Sequence, residues 1–364
     1  MALTEVDAAR LNDNVFNATG PYTNRIINGD MRIDQRNAGA SVAVSNGTLT
    51  YGADRFLVYE DTSASGCTVQ QVTDAPANFS NSFKFTVGTG GSATAAQAAV
   101  IEHRIEGYNF ADFAFGTASA KTFTLSFLVK ATAAGTYCVA FRNASDNRSF
   151  VTTYSISSAN TWEQKTVIVP GDASGTWNTT NGIGIHVRFD LGSGSNYQTN
   201  TLNAWQAGLF FTNSAQVNLI GTSSSSLQIT GVQLEAGSVA TPFERRSYGQ
   251  ELSLCQRYFS LNCTASAGNI TVTVGQATSS STAASGFRPA VQMRATPTLT
   301  VPAGATFGFS NSTYSAGAGG TVSLGGESSK DHIQFSLSGG SGLTAGNATG
   351  LVCSYHGFFL SAEL

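Results

Sequence analysis

A period of two in the apolar residues restricts the fold of this chain more than any other feature. In KTFTLSFLVKA, Phe123, Leu125, Phe127 and Val129 share one parity, against Thr122, Thr124, Ser126 and Lys130. In IGIHVRFDL, Ile183, Ile185, Val187, Phe189 and Leu191 oppose Gly184, His186, Arg188 and Asp190. Successive side chains of a strand point to opposite faces, so each segment reads as a strand with one dry and one wet face. TYCVAFRN, SFVTTYSI and EQKTVIVP lie between them and supply further strands. A spacing of roughly ten to fifteen residues between short strands is the rhythm of an antiparallel sandwich or jelly roll, and no doubly wound parallel pattern fits. The run AAQAAVIEHRIEG is ambiguous, but Ile101, His103 and Ile105 share a parity and it reads as another strand.

A second feature divides the chain. In LQITGVQLEAGSVATPFERRSYGQELSLCQRYF, Leu227 and Ile229 alternate on one parity, and Val232 and Leu234 on the other. One extra residue has entered the ladder at Gly231, where a bulge is cheapest. Thr241-Pro242 forces an extended exit, because a residue before proline is pushed out of the α region. From Gly249, the spacing of Leu252, Cys255 and Phe259 fits one face of a short helix. That face suits packing either on sister helices about a three-fold axis or on its own sandwich.

Upstream, Thr4 can cap a short helix with Glu5 and Asp7 in its first turn, and Gly20-Pro21 breaks the segment beyond it. NRIINGDMRIDQRNAG then reads as a strand pair about the turn Asn28-Gly29-Asp30. Downstream, Ile270, Val272 and Val274, then Leu299 and Val301, Val322 and Leu324, and Ile333, Phe335 and Leu337 mark a second β region.

Only 11% of the residues are charged and the net charge is −3. That weak field offers nothing to nucleic acid or to an anionic membrane. The opening MALTEVDAAR has neither a basic nor an apolar region of a secretory signal, and synthesis in a cytoplasm is expected. Five widely spaced cysteines without a CxxC pair indicate buried thiols rather than a disulfide framework or zinc site. No metal and no cofactor is expected. Asp30 and Glu235 could contribute to a calcium site, but two donors fall well short of the roughly six to eight that the ion takes.

Catalytic constellations are weak. His186 and His103 each read as a solvated or hydrogen-bonded histidine. His332 beside Asp331 gains nothing from nearby serines in a chain this rich in serine. Glu102 and Glu106 form the one suggestive carboxylate pair, yet Arg104 lies between them and a surface ion cluster is the simpler reading. The chain is therefore expected not to be an enzyme. Sugar recognition calls for an aromatic face beside planar polar groups. Trp177 in GDASGTWNTTNG, Tyr197 in GSGSNYQTN and Tyr314 in SNSTYSAGAGG sit in such polar loops and are the glycan-binding candidates, each with the alternative that the ring tucks onto its own sandwich. Trp162 and Trp205 adjoin strand patterns and read as core.

The order NRIINGDMRIDQR, YGADRF, KTFTLSFLVKA, TWEQKTVIVPGDASGTW and ITGVQLEAGSVATPFERRSYGQELSLCQRYF resembles a family of bacteriophage and prophage tail fibre proteins, often described as carbohydrate-binding-like. FRPAVQMRATPTLTV and FFLSAEL are similar to the tips of such fibres. The resemblance implies a jelly-roll module, a homotrimeric fibre held on the virion by its N-terminus, and a distal region that touches the host surface. The expected all-β organisation is an N-terminal virion-attachment segment at 1–23, a carbohydrate-binding-like jelly roll at 24–246, a connector helix at 247–264 and a smaller C-terminal β-sandwich at 265–364. The expected partners are sister chains (with Leu252, Cys255 and Phe259 as interface candidates), virion tail proteins, and a host surface glycan or outer-membrane receptor. The expected function is non-enzymatic host attachment from the virion. A purely structural virion adaptor or capsid-attached fibre is the alternative, and a polysaccharide depolymerase a third.

Overall fold

The computed structural model describes residues 23–262, 269–301, 307–310, 321–339, 341–354 and 357–364. The helix expected near Thr4, and Tyr314 with its loop, lie outside the described residues. The chain forms two compact units, 1–248 and 249–364.

Among the described residues, thirteen strands build the first unit. They are β1 (Val42–Ala43), β2 (Leu49–Ala53), β3 (Phe56–Glu60), β4 (Thr68–Val72), β5 (Ser82–Thr86), β6 (Ala99–Glu106) and β7 (Phe123–Ala131). They continue with β8 (Gly135–Arg142), β9 (Arg148–Ile156), β10 (Glu163–Val169), β11 (Ile183–Asp190), β12 (Trp205–Ala207) and β13 (Ser226–Ala236). One sheet has the order β1-β4-β5-β13-β7-β10 and the other β12-β9-β8-β11-β6-β3-β2. The named strands pair antiparallel throughout, and the unit is a jelly-roll β-sandwich. The segment AAQAAVIEHRIEG does become a strand, β6.

The alternating residues of the sequence meet between the sheets. Phe123, Leu125, Phe127 and Val129 of β7 face Ile185, Val187 and Phe189 of β11 in one continuous buried core. Aromatic rings link the layers. Phe127 lies 5.0 Å from Phe189, and Phe123 lies 5.0 Å from Phe141, both edge to face. Burying each such ring contributes about 1.5–3 kcal/mol, before entropy is counted.

Strand β13 closes the first sheet between β5 and β7. Its register with β7 shifts between Thr230 and Gln233, as the parity switch requires. Gly231 has φ +59°, and a Cβ there would stand 2.8 Å from the Phe79 ring, so both backbone and space select glycine.

The strand pair expected from NRIINGDMRIDQRNAG does not form. Asn28 and Met31 both have positive φ, and the Asn28 side chain takes over the ladder's work. Its amide donates to the carbonyls of Ile33 and Asp54, and its oxygen accepts from Ile33 N–H. Ile26, Met31 and Ile33 are nonetheless core. Asn24 fastens this segment to β13, donating to the Val232 carbonyl at 3.0 Å and accepting from Leu234 N–H at 3.0 Å.

The second unit contains helix α1 (Tyr248–Gln256) and strands β14 (Phe259–Asn262), β15 (Asn269–Ala277), β16 (Ala283–Phe287), β17 (Thr298–Thr300) and β18 (Phe307–Ser310). Strands β19 (Thr321–Leu324), β20 (Ile333–Ser338), β21 (Ala348–Ser354) and β22 (Phe358–Ser361) follow among the described residues. They form a three-stranded sheet, β14-β22-β17, and a six-stranded one, β18-β21-β15-β16-β20-β19. Ile333, Phe335 and Leu337 of β20 pack with Met293, Phe358 and Leu360 in a separate core.

Helix α1 stops at Gln256, so Phe259 belongs to a strand rather than to the expected helical face. Phe259 pairs with Ser361 and sets its ring 5.2 Å from Phe359. It and Cys255 are buried within this single chain, and only Leu252 of the three interface candidates is half-exposed. Two of those three side chains are thus occupied inside their own unit.

Candidate functional site

Beyond Asp190, strand β11 gives way to a hydroxyl-rich loop, and this loop forms one wall of a cavity of about 360 Å³ in the first unit. The residue types explain the opening. Gly194 packs so closely on residues 94–95 that a Cβ would stand 1.9 Å from the Thr94 carbonyl oxygen. Its N–H donates to the Gln97 carbonyl at 2.8 Å, and Asn196 N–H donates to the Ala95 carbonyl at 2.9 Å. The opposite wall is the segment 212–218, anchored where Val217 N–H donates to the Thr136 carbonyl at 2.8 Å.

Asp190 forms the floor and is fully buried. Ser193 donates its hydroxyl proton to one carboxylate oxygen, and the Gln216 amide donates to the other. Gln216 is itself fixed, because its carbonyl accepts from Cys138 N–H at 2.7 Å. Burial pushes the Asp190 carboxyl up to about 6, against the opposing pull of the bonds from Ser193, Thr212 and Gln216. Asp190 therefore ties the two walls of the cavity together through Ser193 and Gln216.

The rim differs in kind. The side chains of Ser195, Gln198, Ser214 and Asn218 line the cavity and make no hydrogen bond to the described residues. Among the described lining residues Asp190 is the only charged one. Uncommitted hydroxyls and planar amides above a rigid, uncharged mouth suit a ligand that both donates and accepts hydrogen bonds many times.

Of the aromatic candidates, Tyr197 sits in the same loop, between Ser195 and Gln198. Its ring stacks on Phe211 at 4.5 Å and its hydroxyl donates to the Ala96 carbonyl, so it braces the wall rather than facing the cavity. Trp177 does not offer a face to sugar. It is 7% exposed, donates its Nε1 proton to the Ser174 carbonyl and is packed among Phe110, Phe115 and Trp205. A polar loop in sequence has folded its one large apolar ring inward. Trp205 packs against the core as its strand pattern implies, whereas Trp162 is half-buried beneath the Lys130 ammonium.

The outer face of β11 carries a second polar group. Glu102 is 1% exposed and receives Arg104 Nε at 2.5 Å, Arg188 Nε, and His186 Nδ1 at 2.9 Å. Burial alone would raise its pKa, but Arg188, His186 and Arg104 together hold it well below the usual carboxylate range. Burial lowers His186 to about 3, so the ring is neutral and Nδ1 donates to Glu102. The face expected to be wet is therefore dry at its centre, and the ion cluster is internal rather than superficial. His103 is buried on the core side, 4.9 Å from the Phe56 ring, with Nε2 against the backbone of Ile27. It is a hydrogen-bonded core histidine.

No family model matches the chain, and no curated protein matches it. Among solved structures, the enzymatically active domain of bacteriophage CBA120 tailspike protein 4 is 15% identical with a TM-score of 0.31, over 60% of this chain and 22% of that one. A structure described as "CBM4 structure and function" is 16% identical with a TM-score of 0.32, over 58% of this chain and 98% of that one. A putative sugar binding protein from Bacteroides thetaiotaomicron is 13% identical with a TM-score of 0.34, over 59% and 100%. At identities and scores this low, none of the three says what this chain binds or does.

Proposed function

We propose that the first unit binds a neutral glycan in the cavity above Asp190, and that the chain is a non-enzymatic tail fibre whose task is attachment to a host surface. The observation that carries the glycan reading is the rim, where Ser195, Gln198, Ser214 and Asn218 present uncommitted donors and acceptors around a cavity of about 360 Å³. Neutral pyranose rings satisfy such groups without bringing a charge that the mouth cannot answer. The fibre reading is supported by the sequence blocks that resemble phage tail fibres, from NRIINGDMRIDQR to the FFLSAEL ending. In that reading the fibre is a homotrimer, held on the virion through its N-terminal segment.

The non-enzymatic reading rests on the carboxylates. Glycoside hydrolysis takes two of them about 5–10 Å apart across the bond. The cavity has one among its described lining residues, and it lies buried in the floor.

A glycan array probed with the full-length chain tests the proposal. Binding to neutral host polysaccharide is expected, with at least a roughly tenfold loss for the Gln198→Ala, Asn218→Ala double variant, as removal of two hydrogen bonds implies. The polysaccharide should keep its chain length, and the chain should block phage adsorption. Absence of binding to any host polysaccharide would leave a purely structural virion component.

A further inference from the structure

Three arginines from three adjacent strands converge on the outer face of the seven-stranded sheet. His186 of β11 pairs with Arg104 of β6 on one side and Arg142 of β8 on the other. Arg188, two residues further along, pairs with Glu102 and with Ala140. Neighbouring strands lie about 4.8 Å apart and alternate residues about 7 Å apart, so the three guanidiniums share a very small area. Acidic side chains answer them from the same face. Glu102 is shared among the three, with Arg142 at 4.0 Å, and Asp146, which pairs with Arg142, is exposed.

None of the three lies directly opposite another, but partly buried like charges gathered on one face repel one another. The strain is felt at Arg142, where burial and the fields of Arg188 and Arg104 overcome Glu102 and lower the pKa to about 9. Bonding capacity is also left over. Arg188 gives only its Nε proton to Glu102 and lies over the Phe211 ring, which leaves both terminal nitrogens without a hydrogen bond while the side chain stays 14% exposed. The buried atoms Arg142 Nε and His186 Nε2 have no partner either. Ala140 beside Arg188 fills little of the space that a longer residue would occupy.

We infer that Arg104, Arg142 and Arg188 form an oxyanion-binding site, which takes a carboxylate or sulfate group carried on a sugar. The guanidinium fork matches the planar carboxylate and the sulfate oxygens, and an incoming negative charge relieves the crowding of the three cations. This site stands apart from the Asp190 cavity: the cavity mouth is uncharged, and the basic site selects for acidity.

Isothermal titration of the full-length chain at low salt tests the inference with three probes: a glucuronate trisaccharide, a sulfated glucose trisaccharide and the neutral glucose trisaccharide. One or both acidic probes should bind at least roughly tenfold more tightly than the neutral one, and inorganic sulfate should compete. The acidic probe that binds tells carboxylate from sulfate. Arg188→Gln should remove this preference and Arg188→Lys should restore part of it, while Gln198→Ala with Asn218→Ala should weaken the neutral probe alone. Should Arg188→Gln fail to fold by circular dichroism, sulfate competition on the unaltered chain decides. Equal affinity for acidic and neutral probes, failure of both acidic probes to bind, or a preference that disappears with the cavity variants overturns the site.

Discussion

Trp177 meets Trp205 edge to face, with ring centroids 5.2 Å apart and planes at 85°. Phe115 touches both rings, at 4.9 and 5.6 Å, and ties this end of the sandwich together. Trp177→Ala should therefore destabilise the first unit by about 3–5 kcal/mol, the range for emptying a buried aromatic site. Glycan affinity of the folded fraction should not change. Urea unfolding beside titration with polysaccharide separates the two effects, and a loss of affinity at unchanged stability would contradict this placement.

The buried carboxyl of Asp190 gives stability an unusual pH dependence. Its folded pKa of about 6 stands above the ordinary value of 3.8, so in between the folded chain keeps a proton that the unfolded chain has released. Stability from this group accordingly falls as pH rises from about 4 to about 6, and is constant above. The full effect is about 3 kcal/mol, from roughly two pKa units. Asp190→Asn should cancel that slope, which unfolding curves at several pH values for both proteins can read. Parallel pH profiles would count against a neutral Asp190 at mild acidity.

Glu102 and His186 act in the opposite sense. Glu102 is held below its ordinary 4.5, and its contribution is present at neutral pH and lost as acid titrates the folded carboxylate. His186, held at about 3 against 6.5, is protonated first in the unfolded chain, so its neutral burial costs stability progressively below about 6.5. Glu102→Gln should cost about 3–5 kcal/mol at neutral pH, because it strands buried guanidiniums without their counter-charge. Differential scanning calorimetry of the variant near pH 7 measures the loss. An unchanged melting temperature would show that the arginines find another partner.

Gly231→Ala tests the bulge in β13. With φ at +59° and the Phe79 ring 2.8 Å from the new methyl, a cost of about 1–3 kcal/mol is expected, without loss of the fold. Chemical denaturation gives the value directly, and a neutral result would mean that the bulge relaxes.

The sandwich is legible in the sequence wherever one face alternates cleanly. Phe123 to Val129 and Ile185 to Phe189 go to the core because parity alone decides which side of a pleat a residue takes. The bulge is legible too, since apolar residues that switch parity across a glycine require one extra residue in the ladder. Parity says nothing about what covers the other face, and so Glu102 and His186, expected near water, lie under neighbouring side chains. Asn28 defeats the pattern for a related reason. A residue that replaces ladder bonds with its own amide leaves a strand-like pattern without a strand. The cavity above Asp190 is beyond sequence reasoning, because residues 192–198 and 212–218 meet only through the fold. Tyr197 points to the right loop, but Trp177 does not, as a polar neighbourhood in sequence does not stop a ring from returning to the core.

Strand β13 also sets a timetable. It lies between β5 and β7, yet residues 132–225 separate it from β7, and a still longer stretch from β5. While the ribosome is still working through that stretch, β5 and β7 each present an unpaired edge toward the same vacant slot. Asn24 likewise waits for Leu234 before its side-chain bonds can close. The nascent chain must therefore keep two sticky edges apart from their counterparts on neighbouring copies until residue 236 emerges. The hazard of aggregation therefore belongs to synthesis itself and ends when β13 fills the slot.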